Sequence, residues 1–190
     1  MADWKPIVGR SFSADEFHTY CKGLKWESWR PSFIALHNTA TPNLAQRPNG
    51  FEQKHIDNFV SFYRDQQHWR AGPHLFVDDR HIWVFTPLTT SGRHSPSWNG
   101  IALGVEMLGD YATDKFTSGR GAKVRDNAVA AIAILSGVLG IDPATMRLHK
   151  EDKATTHDCP GRNVSKPAFI AAVTDYMASH QAGEHDPHPA

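Results

Sequence analysis

Residues 33–40 read FIALHNTA. Four apolar side chains in a row, closed by His37 and then by Asn38-Thr39, predict a short buried strand that empties into a loop. The stretch IALGVEM at 101–107 has the same character, and its Gly104 fits a crowded central strand better than an exposed one. Between these two lie HLFVD (74–78) and HIWVFT (81–86), with Asp79-Arg80 separating them. So short a gap predicts a hairpin, although Asp-Arg is not a favoured turn pair. A loop at 40–50, holding Pro42, Pro48 and Gly50, leads to Ile56, Phe59, Val60 and Tyr63, whose spacing predicts an amphipathic helix over 51–67. Residues 109–122 are rich in Gly, Asp, Ser and Thr and read as loop. They precede KVRDNAVAAIAILSGVL (123–139), a helix stopped by Gly140 and then Pro143. At the N-terminal end, Ser13-x-x-Glu16 forms a capping box ahead of Phe17 and Tyr20 and predicts a helix at 13–22, followed by a connection through Trp26 and Trp29. A last helix is expected at 166–179, with Ser165 as cap and Pro167 in the first turn. Strands interleaved with helices, with no internal repeat, give an α/β fold: one domain over 1–180, a mixed central β-sheet flanked by helices. Residues 181–190 are polar and Pro-containing and are expected to form a disordered tail.

Composition narrows the function classes. Twenty Lys+Arg balance twenty Asp+Glu across 190 residues, so the broad positive field that binds nucleic acid or an acidic membrane is not expected. No apolar run approaches the roughly 18 residues of a membrane span. The start, MADWKPIVGRSF, lacks a basic region followed by an apolar one, so the expectation is a cytoplasmic protein without a signal peptide, acting as a monomer. Two cysteines cannot build a disulfide framework. Histidine, at twelve residues, is in excess.

Three positions point to a metal: His37 at a strand end, His149 after Arg147-Leu148, and Cys159 before Pro160-Gly161. Zinc takes imidazole nitrogen and thiolate sulfur, usually in four-coordinate sites. Two His and one Cys leave a fourth position for water, which zinc acidifies towards neutrality. Twelve histidines allow many such triples, so the composition alone does not single this one out.

The order of the local strings does. FIALHNTA, GPHLFVDDRHIWVF, GRHSPSWNGIALGVEMLGDY and LHKEDKATTHDCPG follow one another over residues 33–161. Together they resemble the zinc-dependent N-acetylmuramoyl-L-alanine amidases of the peptidoglycan-recognition-protein-like superfamily (amidase type 2), which includes phage endolysins, cytosolic muropeptide-recycling amidases and animal peptidoglycan recognition proteins. The resemblance implies that fold, one Zn2+ per chain, and a peptidoglycan or muropeptide substrate. Carried over by motif, the zinc ligands are His37, His149 and Cys159, with Asp158 and His157 as rivals for the third place. Glu106 matches a strand glutamate placed beside the zinc water. A carboxylate on an apolar strand is costly unless paired or working, and by alternation it shares the small-residue face with Ala102 and Gly104, where space for substrate is expected. A salt-bridged or solvent-facing glutamate is the alternative.

His157 occupies a place where many relatives carry lysine, aimed at the substrate carbonyl. An imidazole can still donate to the developing oxyanion, but ties that help to pH near neutrality. Pro73 stands where phage-type relatives often have tyrosine, which shifts the load onto Glu106. His94 and Asn99 match a segment that contacts the muramoyl-peptide, and Trp69 and Trp98 either line the groove or cap the core edge. His74 is expected to be buried and hydrogen-bonded. His18, His55, His68 and His81 read as surface or packing residues, and the histidines at 180, 185 and 188 as having no dedicated site.

The leading function is hydrolysis of the lactyl–L-alanine amide by an endolysin from a phage or prophage, released to the wall by a holin. The alternatives are a cytosolic anhydro-muropeptide recycling amidase, an injected antibacterial toxin, a binding module without catalysis, and a cysteine hydrolase using Cys159 with His149 or His157. A Cys21–Cys159 disulfide would need an oxidising compartment.

Overall fold

The computed structural model describes residues 4–183, with side chains through His180. Along the chain the elements are β1 (Arg10–Phe12), α1 (Ala14–Lys22), β2 (Phe33–Asn38), α2 (Gln53–Ser61), β3 (Leu75–Val77), β4 (Ile82–Val84), β5 (Ala102–Met107), α3 (Gly119–Leu139), β6 (Arg147–Leu148) and α4 (Lys166–Gly183). The six strands form one mixed sheet in the order β1-β4-β3-β5-β2-β6. β3, β5, β2 and β6 run parallel to one another, whereas β4 runs antiparallel to both β1 and β3. The expected α/β architecture is therefore the one observed.

The β3–β4 hairpin forms despite its unfavourable turn residues because Asp78 supplies what they lack. Its buried carboxylate accepts from the amides of Arg80 (2.7 Å) and His81 (2.8 Å) within the turn, and from that of Phe51 (2.6 Å) across it. An aspartate that satisfies turn amides in this way replaces the usual Asn-Gly chemistry. Gly50, at φ +74°, gives that carboxylate room, since a Cβ there would meet Asp78 Oδ2 at 2.8 Å.

Alternation along the strands sorts the two sheet faces. Ile34, Leu36, Leu75, Val77, Leu103, Val105 and Leu148 pack with Phe17, Val124, Ala128, Leu135 and Phe169 of α1, α3 and α4. On the opposite face, Phe76 and Phe85 pack with Phe51, Ile56 and Tyr63 around α2, while Phe33, Ala35, Ala102 and Trp98 form a smaller cluster. Between these two clusters, at the C-terminal ends of parallel strands β2 and β5, His37 pairs in register with Glu106. Ligands of parallel α/β sheets bind at such strand ends.

Several boundaries differ from the sequence expectation. The capping box of α1 is present, with Ser13 N donating to Glu16 Oε2 at 2.8 Å. The helix expected over 51–67 divides: α2 ends at Ser61 and continues as a π-helical turn, Phe62–Gln66, before His68 at φ +53°. The wider turn changes the phase, burying Tyr63 and leaving Phe62 exposed. α3 begins at Gly119, inside the expected loop, because Gly121 packs against the Lys115 carbonyl where a Cβ would collide. Gly140 ends it in the left-handed conformation, φ +66°. The short strands β1 and β6 were not expected. α4 runs to Gly183, past the expected end at 179, and residues 184–190 lie outside the described residues. Among the described residues, no helix is long and apolar enough to cross a membrane.

Candidate active site and metal centre

β6 pairs with β2 so that Leu148 lies opposite Leu36. The residue that follows each of these two is a histidine, and the His37 and His149 rings therefore meet with centroids 4.3 Å apart. The loop after β6 returns Cys159 to the same place, held by a hydrogen bond from Lys150 N to its carbonyl (2.8 Å). Its Sγ accepts from Asn38 N at 3.3 Å. Donor atoms of His37, His149 and Cys159 all lie within 4.8 Å of one another.

This donor set fits a zinc ion. His149 Nε2 is buried with no hydrogen-bond partner, a cost that proteins seldom leave standing. Burial, together with the nearby Glu106 charge, pushes the Cys159 thiol up to about 12, and a cation would supply the positive charge its thiolate lacks. Burial also holds His37 well below its ordinary value, with the neighbouring His94 and His149 adding to the effect. It is thus neutral, as a ligand must be.

The cluster opens into a cleft of about 390 Å³. Glu106 stands in it from β5 with no hydrogen-bond or ion-pair partner among the described residues. Burial alone raises its carboxyl to about 8. His157 is exposed at the rim, its ring 6.3 Å from that of His149. Its neighbour Asp158 also lines the cleft and pairs with Lys150 (3.1 Å), and the donor cluster forms without it. Trp69 lines the cleft wall, stacked on Tyr63 (5.3 Å, 15°) with the Arg93 guanidinium 4.8 Å above it.

Other expected site residues are placed differently. Asn99 does not line the cleft: its Oδ1 accepts from the amides of His94 (2.6 Å) and Ser95 (2.9 Å), so it shapes the 94–99 loop. Trp98 caps the core edge, buried against Phe33 (5.5 Å, 83°). The space expected along the small-residue face at Gly104 is filled by the His94 ring, with which a Cβ on Gly104 would collide. His94 lines the cleft but is largely buried, and it is hydrogen-bonded to His37. The free volume lies further along β5, around Glu106.

His74 is buried as expected, accepting from Gly104 N (3.0 Å) and donating to Thr90 O (2.9 Å). His55 caps α2 by accepting from Glu52 N at 3.0 Å. His18 and His81 are half-buried and His68 is exposed. His180 stacks on Tyr176, while His185 and His188 lie outside the described residues. Cys21 is buried in the core beneath α1, on the opposite face of the sheet from Cys159, and both thiols are free.

Sequence reasoning missed three contributors. Tyr63 reads as helix core, yet it also lines the cleft. Arg93 sits in the quoted GRHSPSW string beside His94 but carries no local pattern. Asp152 is buried and accepts from Ser95 Oγ (2.5 Å) and Ser97 N (3.0 Å). Its burial opposes ionisation, but these hydrogen bonds hold its carboxyl well below the usual range. It thereby ties the loop of His94 to the segment of His149.

The family model described as N-acetylmuramoyl-L-alanine amidase matches residues 27–162. Peptidoglycan-recognition protein SC2 of Drosophila melanogaster is 22% identical over 138 residues, 70% of each chain. Among solved structures, the endolysine N-acetylmuramoyl-L-alanine amidase LysCS from Clostridium intestinale URNW superposes with a TM-score of 0.61 at 21% identity, covering 77% of this chain and 86% of that one. Drosophila PGRP-LB gives 0.60 at 19% identity, with 79% and 84% covered.

Proposed function

The chain belongs to the N-acetylmuramoyl-L-alanine amidase family, and on that premise we propose that it is a zinc-dependent hydrolase of the amide joining the lactyl group of N-acetylmuramic acid to L-alanine of the stem peptide. The observation that carries this is the His37–His149–Cys159 donor cluster opening onto an unpaired, buried Glu106. When bound there, zinc would polarise the scissile carbonyl and acidify the attacking water.

The chain's own residues supply the proton traffic and the alignment. Glu106 accepts a proton from the water as its oxygen bonds to the carbonyl carbon, and passes a proton to the departing nitrogen as the C–N bond breaks. A carboxyl raised by burial is a stronger base toward the water proton than an ordinary carboxylate, and its pKa, near that of an amine, allows the proton to be passed on to the departing nitrogen. His157, at the rim beside His149, donates to the oxygen that gains charge. Trp69 and Tyr63 offer a wall for the glycan or peptide. The products are a lactyl carboxylate and a free L-alanine amine.

The setting we favour is an endolysin from a phage or prophage that reaches the wall through a holin, in keeping with the endolysine structure on which the chain superposes. The recycling amidase remains the second reading, favoured by the Glu106 arrangement. A cysteine hydrolase is disfavoured because burial keeps the Cys159 thiol protonated without a cation. A binding-only module is disfavoured by a complete donor set. Digestion of intact sacculi and of soluble anhydro-muropeptides with zinc-loaded protein tests the proposal: amine release from sacculi supports the endolysin, and release from neither substrate removes the enzyme.

A further inference from the structure

His94 is fixed from both sides. Its Nε2 lies 3.0 Å from the Ala102 carbonyl, which can only accept, so Nε2 carries the proton. A neutral imidazole then offers Nδ1 as an acceptor, and that atom faces His37 Nε2 at 3.1 Å. His37 must therefore donate from Nε2. This leaves its Nδ1 with a bare lone pair and no hydrogen-bond partner among the described residues. Two features prevent the His94 ring from swinging away. It lies on Gly104, where any side chain would collide with it. Its loop is clamped by Asn99 Oδ1 on the His94 amide (2.6 Å) and by Asp152 on Ser95 and Ser97.

We infer that His94 is a positioning residue for the metal centre: the chain Ala102 carbonyl–His94–His37 locks the His37 tautomer so that Nδ1 is its ligand atom. Ligand histidines commonly pass their other N–H to a carbonyl or carboxylate. Here a second imidazole is interposed, and the β5 backbone is the final acceptor. Gly104 is then required because it seats the intermediary ring. The inference rests on the metal site proposed above, but its first half, the His37 tautomer, exists without the ion.

Two variants of the full chain separate positioning from packing. His94→Gln keeps an acceptor and a donor at comparable spacing, whereas His94→Leu fills the space over Gly104 with neither. Zinc affinity, measured by competition with a chromophoric chelator, should fall roughly 10–100-fold in His94→Leu and stay close to wild type in His94→Gln. Long-range proton–nitrogen NMR of the metal-free wild type should find His37 protonated on Nε2 and bare on Nδ1. A folded His94→Leu protein that binds zinc as tightly as wild type overturns the inference, as does a His37 protonated on Nδ1. Should His94→Leu fail to fold, the wild-type tautomer decides alone. Wild-type protein that takes up no zinc would sink the metal proposal, while the tautomer measurement would still decide the hydrogen-bond chain.

Discussion

Replacing Glu106 by glutamine tests whether the carboxyl in the cleft is held protonated by its surroundings. In the folded chain it moves from an ordinary 4.5 up to about 8, with burial as the cause. A value raised on folding means that the folded state keeps a proton the unfolded state has lost. Stability from this group is therefore complete below about 4.5 and is lost as pH rises through about 8. At about 1.4 kcal/mol per pH unit between those limits, the loss at pH 8 is at most ~4 kcal/mol. Glu106 is partly open to the cleft, and solvent reduces the expectation to ~2 kcal/mol. The assay is urea unfolding of metal-free wild type and Glu106→Gln at about pH 5 and about pH 8. Any constant effect of the amide cancels in the difference between the two conditions. The stability of Glu106→Gln relative to wild type should grow by ~2 kcal/mol between them, and zinc should shrink that growth by stabilising the carboxylate. A difference that stays flat with pH would refute the reasoning, because the carboxyl would then be solvated or paired. In the zinc-loaded enzyme the same substitution should lower kcat by about 10²–10⁴ with zinc content unchanged.

Other substitutions probe the remaining parts. Cys159→Ala and His149→Ala should each abolish stoichiometric zinc, measured by elemental analysis after dialysis, and with it the rise in melting temperature that zinc gives the wild type. His157→Ala should lower kcat by about 10² while leaving KM and zinc content near wild type; an unchanged kcat removes His157 from the chemistry. Asp78→Ala strips the acceptor from three backbone amides and should cost about 3 kcal/mol in urea unfolding, with no change in zinc affinity.

Sequence and structure agree where chemistry is written in contiguous strings. FIALHN and ALGVEM are short apolar runs whose endings, His37 and Glu106, fall opposite each other because the two strands pair in parallel register. His149 and Cys159 were found through motif order, and the pairing of β6 with β2 accounts for why they meet His37. What was not legible depends on partners distant in the chain. β1 and β6 are two or three residues long and owe their extended form to neighbours across the sheet rather than to their own alternation. Gly121 reads as loop, yet it permits close approach by the Lys115 backbone, while Gly104, expected in a crowded central strand, is crowded by a ring whose identity, His94, the sequence does not disclose. His94 sits in a segment that suggested substrate contact, and its hydrogen bonds to the Ala102 carbonyl and the His37 ring leave no mark in the local sequence. The loop-shaping bonds of Asn99 are illegible for a related reason: a polar side chain in a loop looks the same in sequence whether it faces a ligand or caps its own backbone.

The central claim is the bond that is cut, and it is tested most directly by mass spectrometry of the products formed when zinc-loaded wild type acts on purified peptidoglycan, with Cys159→Ala as control. The account predicts stem peptides with a free N-terminal L-alanine, glycan carrying intact lactyl groups, and neither product from the control. Intact peptidoglycan, cleavage within the glycan or the peptide instead, or equal activity in Cys159→Ala would contradict it.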